Sequence, residues 1–172
     1  MKDWIPESLF SRIVQSMPIC TVDVALFSHD TMQVLVFRRS QPPLKGHWFT
    51  LGGRLQKNES LRDCAVRHAK IETSLTLDPR HLVFGGAFDE IHDESRFSGN
   101  INYHCVNICW GYVVEENPVI FLDSQHQEYA WKLTDSADFH PMLIHKLSAV
   151  QRILSRVEKH DSTEHKDSEI LP

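Results

Sequence analysis

Apolar residues fall into a short list of periodic stretches along the chain. Leu9, Phe10, Ile13 and Val14 recur at helical spacing behind Pro6, a residue suited to a first helical position, so 6–17 predicts a short helix. Thr21–Phe27 (TVDVALF) and Gln33–Arg39 (QVLVFRR) are β-rich, and the polar SHDTM between them predicts a hairpin connection. SQPPLKG must be a loop, because two prolines cannot pair inside a sheet. His47–Leu51 (HWFTL) is a short strand that runs straight into Gly52–Gly53. From Asn58 to beyond Glu72 there is neither Gly nor Pro, which leaves room for about four helical turns. Asn58 is the expected N-cap, with Glu59 placing a negative charge in the first turn.

Leu82–Phe88 (LVFGGAF) reads as a strand whose two glycines predict a bulge or a close backbone approach. Asp89–Gly99 is expected to be a charged loop forming one wall of a pocket. Ile101–Val114 is the longest β-like run and closes on a Glu-Glu-Asn-Pro turn, followed by a short apolar piece at 119–122. Glu128–Leu133 alternates like a half-buried strand, and 123–127 before it is a polar loop dense in groups able to bind a metal or act as a base. Leu143, Leu147, Val150, Ile153, Leu154 and Val157 mark an amphipathic helix. The polar remainder, 159–172, is expected to be disordered. The sum is an α+β domain over 1–158, a mixed sheet between helices. A simple doubly wound sheet is excluded because no helix separates the second strand from the third or the fifth from the sixth.

With 172 residues the chain is long enough to bury a core without disulfides or structural metal. A net charge of -5 and the lack of a basic run argue against nucleic acid as the main partner. No stretch approaches ~18 consecutive apolar residues, so no membrane span is expected. The first twenty residues lack the apolar core and small-residue cleavage site of a signal peptide, and a cytoplasmic location is expected. None of Cys20, Cys64, Cys105 and Cys109 forms a CxxC pair. Cys105 and Cys109 lie roughly 13 Å apart along one strand, too far to chelate one ion, so the four are expected to be small buried thiols.

The candidate chemistry centres on Gly52–Leu75. A glycine turn leads into a helix on which Leu61, Ala65, His68 and Glu72 share one stripe, a suitable place to hold a metal-bound phosphate. His68 reads as a packed histidine or as a contact to that metal or phosphate. Asp23, an acid inside an apolar strand, must be at an edge or point into a site. The stretch resembles the motif of the Nudix hydrolases. Gly53, Glu59, Arg67, Ala69, Glu72 and Leu75 fall in register, while His68, Ile71 and Ser74 replace two glutamates and a glycine. The resemblance implies a Nudix-type α/β/α sandwich. Most members cleave a diphosphate by attack at phosphorus with several metal-bound carboxylates, and this chain has lost part of that set.

Over residues 4–157 the chain resembles more specifically the GDP-mannose mannosyl hydrolase branch. The shared pieces are Phe10 in the first helix, Pro18 to Asp23, Arg39 before a Pro-containing loop, Gly46-x-Trp48-Phe49, Gly52-Gly53-Arg54-x-Gln56-Lys57-x-Glu59, Phe97-Ser98-Gly99, and Gln125-His126 ahead of Tyr129 and Trp131. This resemblance implies Mg²⁺-dependent hydrolysis of a GDP-sugar to GDP and free sugar, by water attack at the anomeric carbon with inversion. It implies one Mg²⁺, replaceable by Mn²⁺, on Gly52, Glu72 and Gln125, with His126 as general base. An imidazole, ordinarily titrating near ~6.5, suits that task. Arg39 and Arg54 would take up leaving-group charge, Asp23 would orient or neutralise one of these cations, and Phe10, Asp23, Arg39 and Tyr103 would contact substrate. Members of the branch are homodimers. The chain departs from the branch at Glu90, where a histidine is expected, and around 101–105. Two alternatives stay open: a non-catalytic nucleotide-sugar binding module, and a Nudix pyrophosphohydrolase acting at phosphorus.

Overall fold

Strand β1 (Ile19–Ser28) lies at the centre of the sheet because both its faces are apolar. Val22, Val24 and Leu26 face one way, Ala25 and Phe27 the other, and all five are fully buried. In this computed structural model, residues 5–30, 32–97, 100–114, 118, 120 and 126–167 are described, with side chains as far as 156 apart from those of 126 and 127. The remaining elements in chain order are α1 (Glu7–Ser16), which precedes β1, then β2 (Val34–Arg39), β3 (Trp48–Phe49), β4 (Leu51–Arg54), α2 (Leu61–Thr73), β5 (Val83–His92), β6 (Tyr103–Val114), β7 (His126–Lys132) and α3 (Pro141–Asp167). A 3₁₀ turn at Pro79–His81 links α2 to β5.

The sheet is mixed. β1 pairs parallel with β6 along its whole length and antiparallel with β2 and β4, β5 lies antiparallel on the far side of β6, and β7 pairs with β2. Cys64, Ala65 and Ala69 of α2 cover Val22, Val24 and Leu26. Leu143, Leu147, Val150 and Leu154 of α3 cover Ala25 and Phe27 on the other face. The small α1 core of Phe10 and Val14 rests on Ile19 and Cys105 at one end. This is the expected layering of helices on both faces of a mixed sheet, the Nudix α/β/α sandwich.

Several local expectations change. The 47–54 segment is two strands, not one: Trp48–Phe49 pairs with β2 and Leu51–Arg54 pairs with β1, with Thr50 at the step. The N-cap of α2 is Ser60, whose side chain accepts from the Asp63 backbone N–H at 3.1 Å. Asn58 instead adopts a left-handed turn at φ 64°, and Glu59 lies ahead of the helix rather than in its first turn. A bulge between Phe84 and Gly86 is present in β5 as its glycines predicted. The strand then continues through residues expected to be loop, as far as His92, because Glu90 and His92 find buried partners. Helix α3 reaches Asp167, into the stretch expected to be disordered; no Gly or Pro interrupts it after Pro141. Cys20 is exposed, whereas Cys64, Cys105 and Cys109 are buried as expected. Among the described residues no helix is long and apolar enough to cross a membrane.

Candidate active site

The β4–α2 junction, the end of β1 and the inner faces of β5 and β6 enclose a cavity of about 410 Å³. Phe10, Asp23, Arg39, Gly52, Arg54, Glu72 and Tyr103, seven of the residues singled out from sequence, all line it. Gln125 lies outside the described residues. His126 opens β7 with its backbone opposite Arg39, and its side chain likewise lies outside them.

The glycine turn and α2 are held in register by a relay of side chains. Gly52 has φ +149°, and a Cβ there would run into the Val22 carbonyl and the Asp23 carboxylate, so only glycine fits. Its N–H donates to Glu72 Oε2 at 3.3 Å. Arg67 donates from Nη1 to His68 Nε2 at 3.3 Å, which leaves the His68 Nδ1 proton to donate to Glu72 Oε1 at 2.7 Å. Gly53 makes room for this ring, because a Cβ there would sit 2.6 Å from His68 Cε1. His68 is thus packed between Arg67, Glu72 and Gly53 at the cavity wall, and its packing orients Glu72. Arg67 also binds Glu59 through two nitrogens, at 2.5 and 2.8 Å, and the Arg54 carbonyl at 3.1 Å. This bidentate bond, resisted only in part by burial, draws the Glu59 carboxyl down to about 2. The glutamate thus ties the 55–59 loop to the helix, as a structural anchor.

Oxygen donors in this corner suit a hard divalent cation. Glu72 is buried and brings a carboxylate against the Gly52 backbone, while the other pocket carboxylates, Asp23 and Glu90, are both engaged by an ammonium. Residues able to hold an ion here are Glu72, through a carboxylate oxygen, and Gly52, through its carbonyl.

That ammonium belongs to Lys146, which the sequence reading missed. It projects from α3 and is 1% exposed, 2.6 Å from Asp23 Oδ2, 2.8 Å from Glu90 Oε1 and 3.4 Å from Asn107 Oδ1, with the Phe49 ring 4.3 Å away. Thr50 donates to the same Asp23 oxygen at 3.1 Å, and Asn107 donates to Thr21 at 2.9 Å. Burial opposes the charged amine, but Asp23 and Glu90 outweigh it and raise Lys146 above its ordinary value. Burial likewise opposes the charged Glu90, yet Lys146 and then His92 hold it down at about 2. Asp23 thus neutralises Lys146 rather than one of the expected cations. The signal was legible: Lys146 falls three residues after Leu143 and four before Val150, on the apolar stripe of α3.

On the α1 side, the Arg54 guanidinium stacks 4.4 Å over the Phe10 ring and Arg96 lies 5.4 Å from it, with Phe97 edge-on to Phe10. Burial lowers Arg54 from its ordinary value, Tyr103 opposes this, and Arg96 and Arg67 add to it. Arg39 donates to the Pro43 carbonyl at 2.8 Å and lies 5.7 Å from the Phe49 ring. Tyr103 stacks on His92, and burial, chiefly, raises its hydroxyl. The cavity therefore offers one carboxylate corner, a cationic wall and an aromatic face, a combination that fits an anionic, ring-bearing ligand.

This architecture has relatives. The NUDIX domain model matches residues 17–153, and the chain belongs to the Nudix hydrolase family. It is 27% identical over 148 residues to the low-salt glycan biosynthesis protein Agl8 of Haloferax volcanii, covering 85% of this chain and 90% of that protein. Similar solved structures include the MutT protein of Methanosarcina mazei (TM-score 0.62, 19% identity, 80% of this chain and 96% of that one). Another is the Nudix domain of Shewanella oneidensis NrtR, complexed with ADP-ribose (TM-score 0.62, 19% identity, 90% and 94%). A third is a MutT Nudix hydrolase of Burkholderia pseudomallei (TM-score 0.63, 17% identity, 78% and 99%). At these identities the solved structures speak for the fold.

Proposed function

We propose that the pocket hydrolyses a GDP-sugar, GDP-mannose or GDP-glucose, to GDP and free sugar, with water attacking the anomeric carbon and inverting it. The observation that carries this reading is that α2 directs a single carboxylate, Glu72, into the corner beside Gly52, while Glu59 is locked by Arg67 and the two other motif positions hold His68 and Ile71. A carboxylate set this small suits one cation, and one cation can serve a diphosphate leaving group by polarising its oxygens. The glycan-biosynthesis name of the Haloferax relative is in keeping with a sugar-bearing substrate.

Glu72 and the Gly52 carbonyl, with Gln125, hold a Mg²⁺ ion in this reading. When bound, that ion neutralises diphosphate charge and so makes GDP a better leaving group. The chain's own residues do the rest. Phe10 and Arg54 present a stacking face for the base, and Arg39 and Arg54 supply fixed positive charge for the diphosphate. His126 accepts a proton from water as its oxygen bonds to the anomeric carbon; the carbon–oxygen bond to the diphosphate breaks, and its electron pair leaves with GDP. Asp23 and Tyr103 contact the substrate from the β1 and β6 side, and the active species is a homodimer.

Turnover of GDP-mannose and GDP-glucose in H₂¹⁸O tests the reading. Label in the sugar, with GDP as co-product, is expected. Label in phosphate, with GMP and a sugar phosphate, would mean attack at phosphorus, and binding without turnover would mean a binding module. His126→Gln is expected to lower kcat far more than it raises KM.

A further inference from the structure

Strands β5 and β6 pair so that Glu90 stands directly opposite Cys105 and His92 opposite Tyr103. Glu90 and His92, two residues apart, share the inner face of β5, and Cys105 meets them from the neighbouring strand. All three line the cavity although they are only 3%, 7% and 2% exposed. Their donor atoms lie within 4.8 Å of one another. Glu90 divides its carboxylate: Oε1 takes the Lys146 ammonium at 2.8 Å, while Oε2 turns to Cys105 Sγ and His92 Nε2, each 3.7 Å away. The nitrogen–oxygen separation exceeds hydrogen-bonding reach, and the sulfur contact is long.

Those separations have a simple use. In a tetrahedral zinc site, bond lengths of about 2.0–2.3 Å place neighbouring ligand atoms roughly 3.3–3.6 Å apart. The two 3.7 Å edges therefore need only a small inward movement to close around an ion. We propose that Glu90, His92 and Cys105 form a binding site for a thiophilic divalent cation of the Zn²⁺ type, separate from the all-oxygen Glu72–Gly52 corner and open to the cavity at its fourth position.

Ligand chemistry selects the ion class. A thiolate, an imidazole and one carboxylate oxygen favour zinc or cobalt, and magnesium would reject the sulfur. Charge is balanced too. Asp23, Glu90 and Lys146 together carry one net negative charge; a divalent cation that displaces the Cys105 thiol proton into solvent brings the cluster to zero. Lys146 acts as the outer hydrogen-bond partner that ligating carboxylates ordinarily have. Burial pushes the free Cys105 thiol up to about 12, so in the absence of a cation it stays protonated.

Titration of the full-length protein with Co²⁺, in the presence of excess Mg²⁺, tests the site without reference to any substrate. One Co²⁺ per chain is expected, with an intense thiolate-to-cobalt charge-transfer band and visible absorption of tetrahedral strength. Zn²⁺ should bleach both. Cys105→Ser should remove the charge-transfer band and weaken Co²⁺ binding at least ~10-fold, and His92→Gln should weaken it similarly, with circular dichroism checking that each variant is folded. Cys20→Ser and Glu72→Gln should leave the band in place. Stoichiometric cobalt binding without a thiolate band, a band that survives Cys105→Ser, or one that disappears with Cys20→Ser or Glu72→Gln would overturn the proposal.

Discussion

Lys146 Nζ donates to Asp23 Oδ2 across 2.6 Å, joining the last helix of the chain to its central strand at the floor of the pocket. The same nitrogen reaches Glu90 on the edge strand, so one ammonium ties α3, β1 and β5 together. A buried triad of this kind contributes little net stability beyond what an apolar core would, because three groups must be stripped of water. Its value is positional: it keeps two carboxylates fixed inside a cavity.

Removal of the ammonium should therefore be far more damaging than the net worth of the triad. Lys146→Met leaves Asp23 and Glu90 buried without a cation, and a loss of about 3–5 kcal/mol of unfolding free energy is expected. Urea unfolding at neutral pH measures it. A loss below ~1 kcal/mol would mean that the carboxylates find another partner or become protonated at little expense.

Acid should expose the same network. The Glu90 carboxyl is held at about 2 against an ordinary value of 4.5, and Glu59 is depressed similarly by Arg67. A folded-state value below the unfolded one means stability that is present above the unfolded value and lost as pH falls through the folded one. Wild-type protein should accordingly lose stability as pH drops from about 4.5 towards 2. Glu59→Gln should flatten part of that fall, and unfolding midpoints collected along a pH series would show it. Identical pH slopes in variant and wild type would remove Glu59 from this account.

Much of the layering was legible because it follows periodicity. The α1 and α3 stripes, the β1–β2 hairpin and the glycine bulge in β5 are all one-dimensional signals. What was not legible depended on partners distant in sequence. Glu90 and His92 read as charged loop because β5 is there inverted, with Ile91 61% exposed and its polar neighbours buried, a pattern that makes sense only once Lys146 and Cys105 are brought alongside. Asn58 and Ser60 are both good capping residue types, and the backbone separates them: Asn58 is left-handed, whereas Ser60 is extended and accepts from the Asp63 N–H. Phe10, Asp23, Arg39, Gly52, Arg54, Glu72 and Tyr103, drawn from the family resemblance, line one cavity, whereas Lys146 and the Glu90–His92–Cys105 cluster lie outside any motif.

Ser74 ends α2 in the left-handed region, at φ 65° and ψ 4°, with its N–H bonded to the Lys70 carbonyl. The family motif places glycine there, and the backbone explains why: a Cβ in this conformation is strained, and glycine is not. Ser74→Gly should stabilise the protein by about 0.5–1 kcal/mol, a rise in Tm on the order of 1–4 °C. Thermal unfolding followed by calorimetry decides it. A fall in Tm would show that the extra chain entropy of glycine in the unfolded state outweighs the relief of strain.

The Arg67–His68–Glu72 relay makes a prediction about the metal corner that is separable from turnover. His68 donates to Glu72 at 2.7 Å and fills the space above Gly53, so it fixes the carboxylate in place. Outer partners of this kind typically change metal affinity 10–100-fold when removed. His68→Ala should therefore weaken Mn²⁺ binding by about 10–100-fold, and Glu72→Gln should weaken it further, because it removes the ligand itself. Electron paramagnetic resonance of free Mn²⁺ during titration reads both affinities directly. Equal affinity in His68→Ala and wild type would show that Glu72 is held by Gly52 and the helix alone. Unchanged binding in Glu72→Gln would place the oxygen-ligated ion away from this corner altogether.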